Sequence, residues 1–92
     1  MSIKDHTEIK PLLLTKSILD QIYNNVERSL NFKLSTKGKK ILRKDINRYL
    51  LINNNDVNKT LEHFKNYKEN LKKIYLGYSE ETLNNLIIYL YK

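Results

Sequence analysis

Lys40, Lys44 and Arg48 recur at four-residue steps in the stretch KGKKILRKDINRYL, a spacing that on a helix puts three cations in one row. Such a row suits a phosphate backbone, because each contact releases a counterion and adds salt-dependent affinity without reading sequence. Lys37 and Arg43 lie close by, and Asp45 is the one acid among them. A solvated helix face explains the same row equally well. Elsewhere the chain offers little chemistry. His6 and His63 have no second histidine at ligand spacing and read as solvent-facing, and the lack of cysteine removes thiolate metal sites, thiol nucleophiles and disulfides. Glu80 and Glu81 are consecutive, diverge on a helix, and suit a first helical turn better than an acid–base pair. Asp20, Glu27, Asp45, Asp56, Glu62 and Glu69 are scattered among basic residues as ordinary ion-pair partners. No catalytic residue, metal or cofactor is expected, and the chain reads as a non-enzyme. Tyr67, Tyr75 and Tyr78 stand beside Lys65, Lys68, Lys72 and Lys73. They form either a stacking surface for single-stranded nucleic acid or a set of rings at the core edge with their hydroxyls outward.

The elements that must position these residues are helical. Two glycines and one proline punctuate the sequence, and no run alternates with the two-residue period of a half-buried strand. The apolar periodicity predicts an all-α single domain of about four helices, near residues 11–30, 36–53, 56–76 and 79–91, packed as a bundle or an orthogonal array. Pro11 suits the first turn of the first helix, whose inward stripe is Ile18, Ile22, Val26 and Leu30, broadened by Leu19 and Tyr23. Ser35 or Thr36 caps the second, although Gly38 weakens its first turn by roughly 1 kcal/mol and moves the expected start toward Lys39. Its buried side is Ile41, Leu42, Ile46, Tyr49 and Leu50. The triplet Asn53, Asn54, Asn55 is the bend, since asparagine tolerates a left-handed backbone and caps helices. Val57, Leu61, Phe64, Leu71 and Ile74 stripe a third helix running unbroken to a stop at Gly77. Ser79 caps the fourth, with Leu83, Leu86, Ile87 and Leu90 inward and Ile88, Tyr89 and Tyr91 off that face, which makes this helix a candidate homodimer surface. Residues 1–9 read as a flexible arm ahead of a single helical domain at 10–92.

Composition narrows the partners. In 92 residues, 17 Lys and Arg against 10 Asp and Glu give a net charge of +7. That balance favours nucleic acid, an acidic protein surface or anionic lipid. AT-rich coding, which enriches Lys, Asn, Ile and Tyr, explains it as well. A chain this short closes one core without room for a deep substrate pocket. The stretch MSIKDHTEIKPLLLTK lacks the long apolar run of a signal peptide, and no segment reaches the roughly 20 apolar residues of a membrane span, so a soluble cytoplasmic protein is expected.

The stretch DINRYLLINNNDVNKTLEHF resembles the helix-turn-helix of bacterial and phage DNA-binding regulators. In that family an apolar residue early in the first helix, one four later, one in the turn and two four apart in the second helix lock the pair together. Ile46, Leu50, Ile52, Val57 and Leu61 hold those places here. The resemblance implies that double-stranded DNA is the partner and that the chain regulates transcription or replication of a mobile element. It further implies that the helix after the asparagines presents Asn55, Asn58, Lys59 and His63, or Glu62, to the bases, while Lys44 and Arg48 sit at phosphates. Asn47 and Leu51 depart from the small residue and the turn glycine usual in that family, and the expected helix at 56–76 is longer than a usual recognition helix. The same spacing also occurs in ubiquitin-binding three-helix modules. Over the whole chain, the four-helix layout, basic balance and ILDQIYNNV resemble small bacteriocin immunity proteins. That likeness implies instead a non-enzymatic bundle that binds an acidic protein, as phage- and plasmid-encoded inhibitors do.

Overall fold

The structure, a computed structural model, describes residues 15–92. The expected arm at 1–9 and the expected first helical residue, Pro11, lie outside the described residues. All regular structure among the described residues is helical: α1 (Lys16–Leu30), α2 (Thr36–Ile52), α3 (Val57–Lys65), α4 (Tyr67–Ile74) and α5 (Glu80–Tyr91). The first helix begins at Lys16, because the Thr15 hydroxyl accepts the Ile18 N–H at 3.2 Å and closes its open end. It stops at Asn31, which takes a left-handed φ of 66° and donates its N–H to the Glu27 carbonyl.

Ser35 caps α2, its hydroxyl accepting the Gly38 N–H at 2.9 Å, so the helix starts at Thr36, the expected bound, and Gly38 falls inside its first turn without moving the start to Lys39. The reason is packing. Gly38 is buried, and a Cβ there would run into the backbone of Tyr91 at the end of α5. The asparagine bend forms as expected: Asn54 and Asn55 take φ of 57° and 62°, and the Asn53 side-chain amide donates to the Tyr49 carbonyl at 2.8 Å. Asp56 then caps α3 by accepting the Lys59 N–H at 3.0 Å.

The expected helix over 56–76 is two helices, broken at Asn66. Two hydrogen bonds account for the break. The Asn70 side-chain amide donates to the His63 carbonyl at 2.7 Å, occupying the acceptor that a continuous helix would offer to Tyr67. Lys68 donates its N–H to the Ser29 hydroxyl of α1 at 3.0 Å instead of to a carbonyl one turn back. Polar side chains thus take one carbonyl and one N–H that the break exposes, and α4 is tied to α1 in the same step. Gly77 takes no left-handed conformation, and α4 ends earlier, at Ile74.

The helices pack α1 on α3 and α4, α2 on α5 and α3, and α3 on α4. Ile22, Val26, Leu42, Ile46 and Phe64 are almost wholly withdrawn from water. The face of α5 differs from expectation: Leu83, Ile87 and Tyr91 are its buried row, and Tyr91 is only 3% exposed, while Leu86 and Leu90 are half-buried. The four-residue step from Leu83 through Ile87 leads directly to Tyr91.

The contact between Gly38 and Tyr91 predicts an asymmetry between the two glycines. Gly38→Ala gains about 1 kcal/mol of helix propensity and loses about 1–3 kcal/mol to overpacking, near the upper end because the obstructing atoms are backbone. Thermal unfolding followed by circular dichroism should show a Tm lower by about 5–15 °C. Gly77→Ala, where a Cβ meets nothing within 4 Å, should leave the Tm near that of the parent.

Candidate nucleic-acid interface

The second helix holds most of the chain's net charge. Lys37, Lys39, Lys40, Arg43, Lys44 and Arg48 stand against the single acid Asp45, so α2 carries five of the seven net positive charges. All six cations are exposed, because Gly38, Leu42, Ile46 and Leu50 turn the opposite side of the helix into the core. Lys40, Lys44 and Arg48 therefore share one open row, rising about 6 Å per step, against about 3.4 Å per phosphate along one strand of a duplex.

Stability does not favour this charge placement. A helix N-terminus is a site of positive potential, where cations cost about 0.3–1 kcal/mol each at low salt. The first turn of α2 nevertheless carries Lys37 and Lys39 and no acid, and its last turn carries no base. On α5 the pattern is the favourable one, with Glu80 and Glu81 in the first turn. The Lys37 ammonium lies over the Tyr89 ring at 4.8 Å and the Lys39 ammonium over the Tyr23 ring at 5.6 Å, cation–π contacts that hold the charges without neutralising them. Arg48 pairs with Asp45 at 3.5 Å while 70% of its side chain remains in water, so most of its donors are free.

The residues expected after the bend separate into two groups. Asn58 and Lys59 are exposed at the start of α3. Asn55 is half-buried in the bend, and its N–H goes to the Leu50 carbonyl at 2.7 Å. His63 is half-buried and does not face solvent as expected: its ring stacks on Tyr49 with centroids 4.0 Å apart and meets Phe64 edge-on at 4.8 Å. Burial holds the His63 pKa below the ordinary histidine value. Around α3 the exposed acids Asp56 and Glu62 balance the exposed bases Lys59 and Lys65, so the positive field comes from α2. Of the apolar residues expected to lock the helix pair, Ile46 and Leu50 are buried, Val57 and Leu61 are half-buried, and Ile52 is 70% exposed.

Tyr67 is buried with its hydroxyl inside, unlike either a stacking surface or a core-edge ring with its hydroxyl outward, while Tyr75 is half-buried and Tyr78 exposed. The Tyr67 hydroxyl lies 2.7 Å from the Tyr91 hydroxyl, and both approach Asp45 Oδ2, at 3.3 and 3.1 Å. Two protons serve three contacts, so the two shorter ones select a chain in which Tyr67 donates to Tyr91 and Tyr91 donates to Asp45. Burial, with the Asp45 carboxylate nearby, pushes the Tyr91 hydroxyl up to about 12, and burial with the neighbouring Tyr91 raises Tyr67 further. Sequence spacing alone makes Asp45 a surface ion-pair candidate and misses this role. The usable signal is the spacing Phe64, Tyr67, Leu71, which places Tyr67 on the apolar stripe.

Among the described residues no group of three or more His, Cys, Asp or Glu side chains is arranged to hold a metal ion, and no helix is long and apolar enough to cross a membrane. Comparison with protein-family models, curated proteins and solved structures finds no match for this chain.

Two titrations follow from this geometry. His63 is neutral more readily in the fold than in the unfolded chain, so below pH 6.5 the unfolded state takes up the proton first and stability falls with pH. The Tm should therefore drop between pH 7 and 5, and drop less in His63→Phe, which keeps the stack and loses the titration. Tyr91 behaves in the opposite sense. Its contribution is complete below pH 10 and is lost as pH rises through about 12, so alkaline unfolding followed by circular dichroism should be shallower in Tyr91→Phe, from a less stable start.

Proposed function

We propose that this chain is a small non-enzymatic protein that binds double-stranded DNA, as a regulator of transcription or replication, and that the open face of α2 provides the affinity. The single observation that carries this reading is the placement of charge. Five of seven net charges lie on one helix, all six of its cations are in water, and two stand at the helix end where they cost stability. Lysine enrichment from coding bias would raise the count without choosing one helix. Lys40, Lys44 and Arg48 engage phosphates as a row, and Lys37 and Arg43 add to the field. Asn58 and Lys59 at the start of α3 are the exposed groups placed to meet base edges or the neighbouring phosphates, and Asn55 and His63 support them from the bend and from the stack on Tyr49. Such a division gives affinity with modest sequence preference.

A titration of a labelled duplex by fluorescence anisotropy across salt tests the reading. The logarithm of the association constant should fall linearly with the logarithm of salt concentration, at about −0.9 per phosphate neutralised. Lys40→Glu with Lys44→Glu should weaken binding and reduce the slope by about 2. Asn58→Ala should narrow the difference between preferred and random duplexes and leave the slope unchanged. No measurable affinity at about 50 mM salt, or a double variant with the parent's slope, sinks the proposal.

A further inference from the structure

A groove opens between α2, α3 and α4, with a cavity of about 330 Å³ whose floor includes the buried rings of Phe64 and Tyr67. Ile52 of α2 and Ile74 of α4 line it, yet they are 70% and 64% exposed. Two branched aliphatics that stay largely in water beside an apolar floor mark a surface completed by something else. Past Tyr75, which lines this cavity and the next, the apolar track continues to the exposed Leu76 and Tyr78.

The charge around the groove selects its occupant. Arg48 lines the cavity and Lys44 stands one turn back on the same exposed row, whereas at the α4 end Lys72 lines the continuation and is paired with Glu69 and Glu80. Asp45, the acid in the lining, already accepts from Tyr91 and pairs with Arg48. An apolar track with a basic edge on α2 fits an amphipathic helix whose apolar face carries large side chains at i, i+3 or i+4 and i+7, and whose flank toward α2 carries carboxylates. A second copy would bring the same +7 chain, with its own Lys44 and Arg48, against this edge. A duplex gains nothing from covering Ile52 and Ile74.

We propose that this groove docks an acidic amphipathic helix of a protein partner, with apolar anchors between Ile52 and Ile74 and carboxylates on Arg48 and Lys44. This goes beyond duplex binding and does not depend on it.

The probe is a fluorescein-labelled synthetic helical peptide of about 18 residues, long enough for about 27 Å of groove, with Leu and Phe on one face and Glu on both flanks. Its control carries Lys in place of every Glu. With the full chain at about 0.15 M salt, the acidic peptide should bind at least about tenfold tighter than the basic one. Ile52→Ser with Ile74→Ser should cost at least about tenfold in that affinity. Both side chains face water, so the Tm should stay near the parent's, and it is measured alongside. Equal affinity for the two peptides, or affinity indifferent to the serine pair, overturns the proposal. A concentration-dependent dimer in sedimentation that the serine pair abolishes assigns the groove to a second copy and also overturns it. Duplex binding lost in the uncharged serine pair assigns the groove to DNA and overturns it likewise.

Discussion

The contact between the last residue of α5 and the first turns of α2 fixes the rest of the fold. Tyr91 meets that helix in three ways. Its carbonyl accepts the Ser35 N–H at 3.0 Å, its backbone presses against Gly38 where no Cβ fits, and its hydroxyl reaches Asp45 at 3.1 Å. Because the Tyr67 hydroxyl joins the last of these contacts, α2, α4 and α5 meet at one buried polar point. A half-satisfied cluster there would cost more than an apolar one, so all its members are needed together. Among the described residues no buried side-chain polar atom lacks a partner. The aromatic cluster of Phe64, Tyr67 and Tyr91 then registers the polar point against the aliphatic core.

This junction also lets α2 do two opposed things. One side must be apolar and closely packed, and it is built from Gly38, Leu42, Ile46 and Leu50 at strict four-residue steps. The other side carries six cations whose mutual repulsion, with two of them at the positive end of the helix dipole, works against the helix. Tertiary packing outweighs such local costs, since an isolated helix of this length is marginal even with favourable charge. Tyr23 of α1 and Tyr89 of α5 lie under the ammonium groups of Lys39 and Lys37, so cation–π attraction offsets part of that local cost while both residues stay exposed.

Much of this is legible in the sequence, wherever a local rule acts alone. The helical class, the caps at Ser35 and Ser79 and the left-handed asparagines follow from residue type, and so do the inward rows of α1 and α2. The features that escape local rules depend on partners distant in the chain. The break at Asn66 needs Asn70 to take a carbonyl and Ser29 to take an N–H from 39 residues away, and apolar spacing carries neither fact. Tyr91 reads as off the inward face because it falls outside the row of Leu83, Leu86 and Leu90, whereas Asp45, 46 residues earlier, gives its hydroxyl a buried acceptor. His63 leaves solvent for a stack for the same reason, with Tyr49 on the neighbouring helix supplying the face. The cationic row is legible because it needs only one helix. The apolar groove is not, because its lining joins residues of four, from α2 to α5.

Arg48 stands where the two surfaces of α2 meet. It continues the row of Lys40 and Lys44, and it lines the groove between Ile52 and Ile74. A guanidinium that holds a carboxylate in a bidentate pair has no comparable geometry left for a phosphate. A helix seated in the groove with its acids on Arg48 and Lys44 would therefore withdraw two of the cations best placed for a duplex and lower the remaining field with its own charge. Linkage makes this reciprocal, so a duplex on the row would weaken the helix by the same factor. Such antagonism would need no change of shape, because one side chain at the edge between a charged face and an apolar one would serve both proposed anionic ligands.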